Sequence, residues 1–128
     1  MSSLYRAMKA DAQGCPVCEP SARGLGLRVP VDIALGPDAL CRPASGGLSV
    51  APDSPLLLPQ HRRPVQLGGT GRDPVFSTEA EALPLTLAYR PDPRAASQHG
   101  FIEPARPVSL EALQRDLCQT ASLWRPWQ

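Results

Sequence analysis

Proline occupies 16 of the 128 positions and glycine another 10, and these backbone breakers limit what the chain can build. Proline fixes φ and removes a donor, so it is confined to first helical turns, strand edges and turns. Long uninterrupted elements are therefore not expected over most of the chain. Such a load would read as disorder if apolar residues were scarce. They are not, since leucine alone appears 17 times. The sequence implies one compact, loop-rich domain over residues 1–128, built from short elements.

Residues 3–8, "SLYRAM", fit a strand with Leu4, Arg6 and Met8 on one face and Tyr5 and Ala7 on the other. An arginine between two apolar neighbours on one face needs a reason. "LRVPVDIAL" is interrupted by Pro30, so any strand there is an edge or broken. "GPDAL" turns the chain, and "SGGLSVAP" leads into a short extended piece. "PVFSTEA" and "LPLTLAYR" are strand candidates, the latter alternating from Leu83 to Arg90. "HGFIE" is a short strand, with Pro104 ending it or marking a bulge. A helix lies within 109–124, with Ser109 as N-cap, Glu111 in the first turn, and Leu110, Leu113, Leu117, Ala121 and Trp124 on one stripe. Strands and loops before a C-terminal helix give an α+β class.

The net charge is +1, which calls for no polyanion as partner, and nucleic acid is not expected. Twelve arginines stand against one lysine. Genome base composition is the simpler account, and guanidinium forks for phosphate are the functional one. No apolar run is long enough to span a membrane, and "MSSLYRAMKAD" lacks the apolar segment of a signal peptide. A cytoplasmic protein is expected, or one secreted without a signal into a target-cell cytoplasm. Cys15, Cys18, Cys41 and Cys118 then read as thiols.

Each candidate site competes with a plain structural account. "CPVC" is half a zinc site with no second half, so no metal is expected. "GGTG" at 68–71 lacks the strand and helix of a dinucleotide fingerprint and reads as a hairpin turn. "HRRP" offers His61, Arg62 and Arg63 either as a solvated loop or as a pyrophosphate site. In "HGFIE", His99 and Glu103 share a face but lie roughly 13 Å apart along an extended strand, too far for a hydrogen-bonded dyad. Together they could line two ends of a groove.

The order of "LYRA" (4–7), "VDIALGPDAL" (31–40), "SGGLSV" (45–50) and "HGFIEPARPV" (99–108) before a leucine-striped helix resembles the small bacterial type VI secretion effector toxins with an ADP-ribosyltransferase-like fold. The resemblance implies a split β-core around a cleft that takes NAD as substrate. Arg6 would hold a phosphate or ribose, Ser49 would order the cleft and the nicotinamide ribose, and the third strand would supply His99 or Glu103. Arg62 or Arg63 would lie near the rim, both being candidates for holding the NAD phosphates. It implies ADP-ribosyl transfer or NAD consumption in the bacterial cytoplasm, and a cognate immunity protein as partner. Leu48 stands where relatives have threonine, and Glu103 where they have an apolar residue. The alternative is therefore a catalytically silent member of the fold that binds a protein. A zinc-stabilised nucleic-acid module is a third reading, and the lack of basic clustering beyond "HRR" counts against it.

Overall fold

The computed structural model describes residues 2–127. Among these residues nine short strands and one α-helix, with four short 3₁₀ turns, make an α+β domain. The strands are β1 Ser3–Ala7, β2 Ile33–Leu35, β3 Leu40–Gly46, β4 Leu48–Pro52, β5 Val75–Glu79, β6 Leu87–Pro91, β7 Gly100–Pro104, β8 Val108–Ser109 and β9 Arg125–Pro126; the helix α1 is Leu110–Gln119. Six strands form one sheet in the order β6-β7-β4-β1-β5-β9, and β2-β3-β8 form a second. Every pairing is antiparallel. Chain order and sheet order differ, so β1 and β4, 43 residues apart at Arg6 and Ser49, become neighbours.

Alternation along β1 explains both of its surfaces. Leu4 and Met8 enter the main core with Phe76, Leu113 and Leu117, whereas Ala7 packs on Ala51, Leu58 and Val75 on the other side. Arg6 occupies the main-core row and is only 8% exposed.

The C-terminal segment caps that core. Ser109 Oγ accepts from the Ala112 amide at 3.1 Å, satisfying one of the open donors of the first turn. Leu113 and Leu117 are buried, and Leu110 is half-buried. The α-helix ends at Gln119, and a 3₁₀ turn, Thr120–Leu123, carries the chain on. Trp124 is buried because its indole finds a partner: Nε1 donates to Thr120 Oγ1 at 3.1 Å, and that hydroxyl donates to the Leu117 carbonyl at 2.6 Å.

Three local expectations are corrected. The alternation from Leu83 does not make a strand until Leu87. Pro84 has no amide to donate, its carbonyl instead accepts from Leu87 N at 3.0 Å, and Leu85 is 93% exposed. "GGTG" is not a hairpin turn. Gly68, at φ 84°, closes the 3₁₀ turn Val65–Leu67, and the 60–71 segment folds on itself through Thr70 N to Gln60 O and Gly71 N to Arg63 O. Finally, β3 runs through Pro43, where no strand was expected. Its partner β8 pairs only at Leu40 and Cys41, so the missing proline amide breaks no bond on that side.

Candidate functional site

A pocket of about 220 Å³ opens beside the β1–β4 pair. Arg6 and Ala7 from β1 line it, with Leu48–Ala51 from β4, Gly26–Arg28 and Asp32, the 57–59 turn with His61 and Arg62, and His99 before β7. Arg6, Ser49 and His99, distant in sequence, therefore border one cavity, with Arg62 beside them. Ser49 is exposed on this wall, between buried Leu48 and Val50.

Local sequence explains how the walls meet. Gly46 and Gly47 let the 28–32 loop lie directly on the β3–β4 corner. A Cβ on Gly46 would strike the Asp32 carbonyl, and one on Gly47 would come within 2.5 Å of the Ile102 carbonyl. Gly47 N donates to Asp32 O at 2.9 Å. On the opposite wall, Gln114 of α1 holds Leu27 by both amide groups: Leu27 N donates to Oε1 at 2.9 Å, and Nε2 donates to Leu27 O at 2.7 Å.

Arg6 is bound mainly by the protein itself. Nη1 donates to the Ser49 carbonyl at 2.9 Å, and Nη2 to the carbonyls of Gly24 at 2.9 Å, Ala22 at 3.3 Å and Ser21 at 3.4 Å. Nε is buried without a partner. Burial lowers the guanidinium to about 10, so it is still charged at neutral pH. This cation ties the 21–24 loop to β4 and forms part of the pocket floor.

Asp32 supplies the pocket's carboxylate. Arg28 grips it with Nε and Nη2, each at 2.9 Å, while the Arg28 amide adds a bond at 2.7 Å. Burial opposes ionisation of Asp32, but the Arg28 bonds prevail and hold its pKa below the usual carboxylate range. Asp73 likewise pairs with Arg23 at 2.6 Å and approaches Arg62 at 3.8 Å, steadying the rim.

His99 is held from two sides. Its Nδ1 lies 2.9 Å from Asp92 Oδ2, and its ring meets Phe101 edge-on, with centroids 4.8 Å apart.

Two expected site residues lie elsewhere. Glu103, 4% exposed, accepts from the Ala44 amide at 3.1 Å and faces Arg90 Nε at 3.7 Å. It braces the two sheets and does not line the pocket. Arg63 donates to the carbonyls of Leu56 and Leu58, so it supports the 57–59 turn from behind. Asp32, Arg28 and Asp92 were missed. The Asp32–Arg28 pair spans four residues outside any helix, and no periodicity marks it.

"CPVC" is in a loop. All four cysteines are free thiols. Among the described residues no three His, Cys, Asp or Glu side chains group to hold a metal ion, and no helix is long and apolar enough to cross a membrane. A scan against protein-family models finds no match, and no curated protein matches the chain.

Proposed function

We propose that the pocket binds NAD and that the domain consumes it, as a toxin-type ADP-ribosyltransferase-like transferase or hydrolase acting in a bacterial cytoplasm. The observation that carries this reading is the meeting of Arg6, Ser49, His99 and Arg62 at one cavity. Its volume is below the usual range of about 300–1,000 Å³ for ligand sites, so it suits one half of a dinucleotide. The nicotinamide ribose would sit beside Ser49 and His99, with the phosphates over Arg62, whose fork matches phosphate oxygens, while the Arg28 fork stays on Asp32.

Breaking the nicotinamide–ribose bond builds positive charge on the sugar, which a nearby carboxylate stabilises electrostatically. Asp32, in the pocket, takes this role in place of Glu103. Ser49 orients the ribose through its hydroxyl. Arg6 acts from beneath, fixing the Ser49 main chain.

A second reading has its own support: Arg6 spends its Nη donors on main-chain carbonyls, and Glu103 lies outside the pocket. Both suit a catalytically silent member of this fold that binds a protein. One experiment separates the two. Purified protein incubated with NAD should release nicotinamide, and unprotected expression should slow bacterial growth. No release and normal growth would leave the silent binding module as the function.

A further inference from the structure

The 92–98 connector, polar and rich in turn residues, is ordered around a single pair. Asp92 N donates to the His99 carbonyl at 2.9 Å, and His99 N donates to Ala95 O at 3.0 Å. The same two residues meet again through their side chains, Oδ2 to Nδ1 at 2.9 Å. The other Asp92 oxygen, Oδ1, accepts from the Arg94 amide at 3.0 Å. Both carboxylate oxygens are thus committed, and main chain and side chain fix the same juxtaposition.

We propose that Asp92 is a positioning residue that fixes His99 as the Nδ1–H tautomer and leaves Nε2 as an open proton acceptor at the pocket. An ionised carboxylate only accepts, so the ring must donate from Nδ1. Phe101, edge-on, sets the ring plane. The carboxyl of Asp92 is held below its usual range by the Arg94 amide and then by His99, so it is an ionised acceptor at neutral pH.

The proposal rests on the NAD reading only for its substrate. Water attacks C1′ of the nicotinamide ribose as the C–N bond breaks. The electron pair of that bond neutralises the pyridinium nitrogen of the departing nicotinamide. The water proton passes to Nε2 of His99 and then to solvent. The charged and titratable groups that border the same cavity as His99 are Arg6, Arg28, Asp32, His61 and Arg62, and Asp92 and Arg94 lie on its own connector. Tyr89 of β6 packs against Gly100, next in sequence.

The chain has two histidines, so long-range ¹⁵N–¹H correlation spectra of the full protein, with His61→Gln for assignment, report each tautomer directly. The spectrum should show protonated Nδ1 and bare Nε2 for the neutral ring of His99. A protonated Nε2 in the neutral ring, or an averaged pair of tautomers, would overturn the proposal. Asp92→Asn keeps the oxygen that accepts from Arg94 and turns an amide donor towards Nδ1. It should reverse the tautomer and lower kcat for nicotinamide release about 10²-fold or more, with KM little changed. Asp92→Glu should restore the Nδ1–H tautomer and part of kcat. A wild-type tautomer and kcat in Asp92→Asn would sink the idea. If the wild type releases no nicotinamide, the NAD reading fails, and the tautomer alone decides the Asp92–His99 assignment.

Discussion

Arg6 donates to the carbonyl of Ser49 at 2.9 Å, so the guanidinium holds the main chain of the residue whose hydroxyl borders the pocket. The bond runs across the β1–β4 pair and explains an arginine in a row of core leucine and methionine. Three further carbonyls share Nη2, which makes Arg6 the joint between two pocket walls.

Removing that joint should cost stability first. Arg6→Met preserves apolar bulk and leaves four carbonyls without their charged donor. We expect a loss of about 3 kcal/mol or more, since buried acceptors left unpaired each cost about 1–3 kcal/mol. Urea unfolding followed by circular dichroism measures it. Arg6→Lys should recover only part, because one ammonium cannot reach both β4 and the 21–24 loop.

Gln114→Leu should loosen the wall at Leu27. The change removes both bonds of the amide pair and should cost about 1–3 kcal/mol. Hydrogen exchange at the Leu27 amide is the direct readout, and it should accelerate more than exchange within β1. Equal acceleration in both places would mean global destabilisation instead.

Acid should weaken the domain in a defined window. Arg42 holds the Asp38 carboxyl at about 2, against an ordinary 3.8. Asp32, Asp73 and Asp92 are also lowered. A carboxyl whose folded pKa lies below its unfolded one adds stability above the unfolded value and loses it as pH falls to the folded value. Stability should therefore hold above about 3.8 and decline towards about 2. Asp38→Asn should flatten the lower end of that decline in a thermal-melt series against pH.

What sequence revealed, and what it concealed, follows from the range of the interactions. The stripe through Leu113 and Leu117, the Ser109 cap and the alternation of β1 depend on neighbours a few residues away, so they are legible. The same alternation flagged Arg6, although its partners at Ser21, Ala22, Gly24 and Ser49 could not be read from it. Asp92 and His99 bracket a turn whose closure depends on main-chain bonds, and the segment reads only as a solvated connector. Glu103 shows the opposite failure. Strand parity puts it on the face of His99, but its position near the end of β7 delivers it to Ala44 of the second sheet.

Calorimetric titration with NAD tests the central claim, that this cavity is a dinucleotide site. Wild-type protein should bind one equivalent. Arg62→Ala should weaken binding about 10- to 100-fold, the loss expected for one charge-assisted contact. Ser49→Ala should weaken it less, and Glu103→Gln should retain wild-type affinity at a temperature where it is folded. No heat of binding with the wild type, or an Arg62→Ala affinity equal to it while Glu103→Gln fails, would contradict the account.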